Sequence, residues 1–410
     1  MRNALLAGTA IAMGLAGTAQ ADEIFIGHLA DLTGATASVS KPFSQGVDDA
    51  LAYINAHGGV GGTKIDFETV DYSYQVPRAM AQYKKWTSDK KMAAIQGWGT
   101  GDTEALVSSV AKDEIPYFSA SYSGHLTDPQ GKTSAKPAPY NFFYGPSYTD
   151  GCRGLVDWAG ADWKKKGGKG APKFVHMGDN HPYPNSPKDG CGAYAKEKGF
   201  EILNPIQYSL KPGDFKAQCL SLKESAADYA YLANTAGSTI SLLKSCETVG
   251  TKTQFMGNIW GMDEAGLKAS GEAANGMVWV VAAATWTDNA PGMKLVREIS
   301  KISDPDGKED RPVHYMRGIC SAYYMKEAMD MATTMPGGVT GPNIKAAMYK
   351  KTNWVPAGLE GVCLPSSWKA DDHRGTTDVL VYQASVKGES ISMHKVHSVE
   401  LPRRAEWLGW

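Results

Sequence analysis

The segment Gly97-Trp98-Gly99-Thr100-Gly101-Asp102 brings together residue types and a spacing that could do chemistry. It lies between Met92 to Gln96, which reads as a strand, and Thr103 to Lys112, which reads as a helix. Glycines at such a junction cradle a dinucleotide when a third completes the G-x-G-x-x-G pattern; here the third is missing, and nucleotide binding is set aside. The place still offers backbone N–H groups at a helix start, the positive end of a helix dipole and the Thr100 hydroxyl, which together suit a carboxylate. A tight turn without a ligand is the competing reading. Ser119-Ala120-Ser121-Tyr122-Ser123-Gly124 follows the next short strand, Pro116 to Ser119, at what would be the same sheet edge. Ligands of open α/β sheets bind beyond the carboxyl ends of strands, so Thr100, Ser121 and Ser123 can converge on one small anion.

Covalent chemistry finds less support. There is no G-x-S-x-G, no H-E-x-x-H, and no S-x-x-K with the rest of its set. His176 and His181 flank a turn, and His394 and His397 fall in a probable strand at an offset that puts them on opposite faces. The reading is therefore no enzyme, no metal and no cofactor, with a Ser/His hydrolase of amides or esters kept as the rival class.

These loops need a scaffold. Strand-like runs at Ile24–Leu29, 64–72, 92–96 and 116–119 alternate with helical patterns at 43–55, 78–88 and 103–112. The theme repeats as strands at 173–177, 201–206 and 229–232 and helices at 188–198, 215–225 and 238–249. Such alternation predicts parallel sheets covered by helices, in two similar α/β domains. Residues 136–148 suit a first crossing between them, and Met277 to Ala284 a strand that carries the chain back. Tyr315 to Met335 reads as a long helix, and 378–399 as antiparallel strands.

Arg2, the apolar run Ala4 to Ala16 and Ala19-Gln20-Ala21 before Asp22 have the form of a bacterial export signal cleaved after Ala21. The run is shorter than the ~20 residues a membrane helix needs, and Asp22 rather than a lipid-bearing Cys follows the cut. Lys and Arg total 42 against 43 Asp and Glu, which gives no argument for nucleic acid or an anionic membrane. The expected location is the periplasm. Six cysteines in an exported chain point to disulfides, although six allow 15 pairings. Local order suggests Cys152–Cys191, Cys219–Cys246 and Cys320–Cys363, each closing a loop that contributes about 3 to 4 kcal/mol on the chain-entropy argument. No cysteine pair has zinc-module spacing.

Gly46-Val47-Asp48-Asp49-Ala50 through Ile54-Asn55-Ala56-His57-Gly58-Gly59-Val60-Gly61-Gly62 resembles the first helix and following glycine turn of the leucine/isoleucine/valine-binding protein family. Thr251 to Gly257, with Phe255-Met256-Gly257, is similar to a second landmark of that family. The resemblance implies an α/β fold of two Rossmann-like lobes joined by a three-crossing hinge, the type I periplasmic binding protein architecture. It divides the chain into 22–145 plus 285–360 as the first lobe and 146–284 plus 361–410 as the second. It implies a monomeric solute receptor that delivers an amino acid or related small carboxylate to ABC transporter permease subunits; a sensor partner shares the fold.

The resemblance also places the site. First-lobe contacts fall on Trp98, Gly99, Thr100, Ser121, Tyr122 and Ser123. Second-lobe loops fall near Asp179 to Tyr183, Asn234 to Ala236 and Asn258 to Trp260, giving Asp179, Tyr183, Thr235, Ile259 and Trp260. Two positions depart from the family pattern. The acid that usually follows the Phe-Met-Gly landmark and holds an ammonium is absent, with Asp263 arriving only later, and the usual second-lobe aromatic is Thr235. A buried ammonium without a paired charge costs several kcal/mol. Either Asp179 supplies that charge, or Trp98, Tyr122, Tyr183 and Trp260 wall an aromatic or other non-amino carboxylate or an amide, or stack on a cation by their π faces.

Overall fold

Five parallel strands, β1 (Ile24–Ala30), β2 (Ile65–Asp71), β3 (Met92–Gly97), β4 (Tyr117–Ser119) and β5 (Asn141–Phe143), form the first sheet in the order β2-β1-β3-β4-β5. Helices α1 (Ala37–Ala56), α2 (Val76–Asp89) and α3 (Thr100–Lys112) make the crossovers. The computed structural model describes residues 24–134, 136–388 and 390–410, so the expected export signal at 1–21 lies outside the described residues. α1 begins before the expected Phe43 because Pro42 sits inside it, where a missing N–H makes the sequence look like a helix boundary. β5 was expected as part of the crossing; three residues in a Pro-rich stretch carry no legible period.

The second sheet follows α4 (Tyr148–Lys165). It contains β6 (Lys173–Gly178), then α5 (Pro182–Asn185), α6 (Lys188–Glu197), β7 (Glu201–Ile202), β8 (Ile206–Gln207), α7 (Lys216–Ser225), β9 (Tyr229–Leu232), α8 (Ala236–Val249), β10 (Gln254–Gly257), α9 (Glu264–Ser270) and β11 (Val278–Val281). The expected strand over 201–206 is split into β7 and β8, which pair with β6 separately around Pro205, a residue with no N–H for the ladder. The chain returns through α10 (Met293–Ser300), α11 (Val313–Thr333) and α12 (Gly341–Met348), then adds antiparallel β12 (Asp378–Lys387) and β13 (Ser390–Glu400) to the second sheet beside β11.

Between the sheets three chain segments lie side by side. Tyr144 donates to the Ala282 carbonyl and accepts the Leu364 N–H at 2.8 Å, while Ala283 pairs with Cys363 and the Ala284 N–H reaches the Val362 carbonyl at 3.0 Å. Residues 364–373, expected with the second lobe, instead stay against the first. Trp368 packs edge-on against Tyr324, and the two ring nitrogens of His373 meet the Asn141 carbonyl and the Tyr349 hydroxyl at 2.8 and 2.7 Å. The three disulfides join the cysteines in local order, and Cys320–Cys363 ties α11 to this hinge.

The last ten residues touch both lobes. Arg404 forms a two-pronged ion pair with Glu197, and Trp407 lies under Arg153 at 4.0 Å. Further along, Gly409 donates to Thr127 at 3.0 Å, and Gly124 abuts the Trp410 backbone.

α1 and α11 approach until backbone meets backbone. A Cβ added to Gly46 would lie 2.1 Å from the Tyr315 carbonyl oxygen, and one on Gly318 would lie 2.1 Å from that of Phe43. No rotamer relieves such a contact, so the helices would have to separate. Gly318→Ala is expected to lower unfolding free energy by about 3 kcal/mol in denaturant titration. Gly192→Ala on α6, where added bulk meets nothing within 4 Å, should be neutral or stabilising by up to about 1 kcal/mol.

Candidate functional site

The carboxyl ends of β3 and β4 face the loops after β6, β9 and β10 across a narrow gap of about 10 Å³, roughly the space of one water. The first lobe contributes Thr36, Tyr74, Trp98, Gly99, Thr100 and Ala120; Tyr148, Tyr183, Thr235 and Trp260 form the other wall. Of the expected contacts, Trp98, Gly99, Thr100, Tyr183, Thr235 and Trp260 therefore line one space. Ser121 stands directly behind, its hydroxyl 2.8 Å from that of Thr100. Tyr122 backs Trp260 as a stacked ring at 5.7 Å.

Three expected contacts serve elsewhere. Ser123 donates to Glu104 at 2.7 Å and accepts from Ser186 of the other lobe at 3.1 Å. The Asp179 carboxylate is taken by the Leu210 N–H at 2.8 Å, so it braces a second-lobe loop rather than facing the cavity. Ile259 turns its carbonyl to Arg317 at 2.8 Å.

Thr36, Tyr74, Ala120 and Tyr148 escaped sequence reasoning. Thr36 ends the loop after β1, the same sheet edge that drew attention to the β3 and β4 loops, so the signal was available. Tyr74 follows β2 with φ of 56°, next to Ser73 at 54°, left-handed conformations that side chains other than Gly adopt at a cost. That bend directs the Tyr74 ring to the cleft, 5.1 Å from His181 of the facing lobe. Tyr148 opens α4, where Ser147 caps the helix by accepting the Asp150 N–H at 3.0 Å.

A network of buried polar groups fixes the walls. Asp31 accepts the Thr36 N–H at 2.8 Å and its hydroxyl at 2.6 Å, and Thr36 in turn accepts the Trp98 indole N–H at 2.8 Å. Opposite, Asn258 holds two wall residues through one oxygen, accepting from the Tyr183 hydroxyl at 2.9 Å and the Trp260 N–H at 2.7 Å. Its amide donates to the Leu232 and Asn234 carbonyls. The Trp260 indole reaches the Tyr148 hydroxyl at 3.2 Å, and that hydroxyl also faces Thr100. The buried Thr235 hydroxyl has no hydrogen-bond partner among the described residues.

The helix start is less open than its sequence suggests. Asp102, in the first turn of α3, accepts from Tyr72 at 2.7 Å, and its carboxyl faces its own N–H and that of Gly99. The Gly99 N–H also meets the Tyr72 hydroxyl at 3.1 Å, and the Tyr74 hydroxyl faces the Thr100 N–H. The end of the dipole is thus occupied from within, and a ligand meets hydroxyls instead. Burial pushes the Asp102 carboxyl up to about 7, against the lowering effect of its hydrogen bonds.

Arg317 on α11 was also missed. Fully buried, it lies 3.5 Å over the Trp260 ring and 5.1 Å from that of Tyr122. Its Nη1 donates to the Ile259 carbonyl and to His314 Nδ1 at 3.0 Å, and no carboxylate lies within 4.0 Å of it among the described residues. Burial first, then Arg317, holds His314 far below the usual histidine range. Because a guanidinium only donates, His314 Nδ1 accepts and its proton sits on Nε2, 3.7 Å from Asp263. Among the described residues no group of three His, Cys, Asp or Glu could hold a metal ion, and no His lines the cavity.

A family model described as periplasmic binding protein matches residues 23–389. No curated protein matches in sequence. Similar solved structures include an ABC transporter substrate-binding protein of Aeropyrum pernix, 23% identical with TM-score 0.81, covering 94% of this chain and 98% of that one. A branched-chain amino acid ABC transporter protein of Thermus thermophilus with bound valine is 19% identical with TM-score 0.81, over 94% and 98% of the chains. A fatty acid ABC transporter substrate-binding protein of Thermomonospora curvata is 20% identical with TM-score 0.79, over 93% of each. At these identities the likeness concerns the fold: two α/β lobes with parallel sheets, of the type I arrangement.

A carboxyl raised on folding binds its proton more tightly in the native state, so Asp102 stabilises fully below pH about 4 and its contribution is lost as pH rises through about 7. Asp102→Asn, which mimics the protonated form, should gain stability relative to the parent from pH 5 to pH 8. Melting curves across that range check it; parallel curves would contradict the assignment.

Proposed function

The chain belongs to the periplasmic binding protein family, and from that premise we propose that it captures a small solute between its two lobes and delivers it unchanged to the permease of an ABC importer. One observation carries the reading: facing strand-end loops from both lobes supply hydroxyls and indoles to one narrow gap. Within it the solute's polar end, an amino acid carboxylate or a related acid, meets Thr100 with Ser121 behind, while Tyr148 and Trp260 complete the cage from the other side. Enclosure strengthens each such bond, because the alternative is a buried polar group left unpaired. The lobes we propose are 24–143 with 285–373, and 148–281 with 378–400; export through residues 1–21 brings the receptor to the periplasm as a monomer.

Hinge closure provides the signal, since a solute that binds the closed form better shifts the population toward it by its differential affinity. No His stands at the cavity wall to activate Thr100 or Ser121 as a nucleophile, which disfavours the hydrolase reading.

Thr100→Ala with Ser121→Ala removes both members of a buried hydrogen-bonded pair. Deleting both partners leaves neither orphaned, and the Ser123 N–H loses only a long 3.4 Å bond to Ser121 while Tyr148 keeps the Trp260 indole, so the melting point of the empty protein should change little. Capture of the solute that co-purifies should weaken at least about 100-fold, as expected when charge-assisted bonds of about 1.5 to 3 kcal/mol each are lost. Calorimetry measures it, and unaltered affinity would remove these hydroxyls from the site. Mass spectrometry of the denatured protein should return the solute intact; a new product on incubation would instead favour an enzyme.

A further inference from the structure

The charges around the cavity have a one-sided arrangement. Among the described residues that line it there is no carboxylate. The acids nearest the walls are engaged: Asp31 by Thr36, Asp102 by Tyr72 and the start of α3, Asp179 by Leu210, and Glu104 by Ser123. Asp263 caps α9 through the Gly266 N–H at 2.7 Å and lies beyond His314. An ammonium carries three donors and no acceptor, so in this cavity it would be enclosed without a paired charge. Against the ring of the wall residue Trp260 stands a cation. Arg317 lies 3.5 Å over the Trp260 ring with no carboxylate within 4.0 Å among the described residues, and its Nε and Nη2 have no hydrogen-bond partner there. The field it projects through Trp260 into a water-poor space favours negative charge.

Resting on the capture reading above, we infer that the solute is a small carboxylic acid that carries no amino group. Thr100, with Ser121 behind it, and Tyr148, held by the Trp260 indole N–H, supply donors to its carboxylate, and Arg317 beside Trp260 supplies the compensating charge. The acid's apolar part lies on the indoles of Trp98 and Trp260. Thr235, whose buried hydroxyl has no hydrogen-bond partner among the described residues, lines the wall with no charge of its own.

The test uses the full mature chain, unfolded and refolded to remove co-purified solute, and matched probes that differ only in the group in question. Calorimetry compares 4-methylpentanoate with leucine and 4-methylpentanamide, and 3-phenylpropanoate with phenylalanine. The acid of each set is expected to bind at least 100-fold more tightly than its amino counterpart and at least 10-fold more tightly than the amide. The compound extracted from the native protein should be an acid without nitrogen at the α carbon. Tighter binding of leucine or phenylalanine, or an extracted amino acid, overturns the inference and leaves solute capture standing. Equal binding of amide and acid overturns the role given to Arg317. Thr235→Asp, which adds the missing charge to the wall, should weaken the acids at least 100-fold and bring amino acids within reach of detection; an unchanged preference again overturns the inference. A protein from which nothing is extracted and which no probe stabilises overturns the capture reading itself.

Discussion

Trp260 is the point on which the two lobes are registered. It belongs to the loop after β10 of the second sheet, yet its ring is enclosed by groups of the first: Trp98 at 4.7 Å, Phe43 at 5.6 Å and Tyr122 at 5.7 Å, with Arg317 3.5 Å over the ring. The neighbouring Ile259 carbonyl caps the same guanidinium. A buried guanidinium is costly unless its donors are met and its charge is spread, and here a carbonyl, an imidazole and two ring faces share that task. Pulling the loop away would strip Arg317 of its carbonyl and of the indole at once. The mutual registration of the lobes is therefore favoured by buried cation–π and hydrogen-bond contacts.

Rigid walls follow from the same economy of buried polar groups. Asp31 fixes Thr36 and through it the Trp98 indole; Asn258 fixes Tyr183 and Trp260. Asp31 and Asn258, both outside the lining, thus orient Thr36, Trp98, Tyr183 and Trp260, so the faces these four turn toward the solute are set in advance. Asp102 does the reverse of what its position first suggests. A carboxyl at the start of α3 uses up the dipole end that a solute anion would otherwise seek, and it makes hydroxyls rather than backbone amides the contact surface.

Much of this was legible in the residues. The alternation of strand and helix, the loops after β3 and β4, the paired cysteines and the antiparallel close of the second sheet all follow from periodicities and local order. What escaped did so for physical reasons. Pro42 masks the start of α1, because a residue without an N–H resembles a boundary when the following turns cannot be seen. Ser123 and Asp179 are of the right type and at the right strand ends, but hydrogen bonds to Glu104 and Leu210 turn them aside, and such bonds depend on chain segments far along the sequence. Arg317 is the instructive omission. The helix around it is buried from Val313 to Met325 without interruption, so a charge there had no surface to reach; only the tertiary packing of Trp260 reveals what it faces.

The C-terminal stretch, anchored at Arg404 and Trp407 on one lobe and at Gly409 on the other, behaves as a tether of fixed slack. Spreading the lobes would pull those two anchorages apart, so the jaws could gape only as far as the single residue between them, Leu408, extends before one mooring must let go.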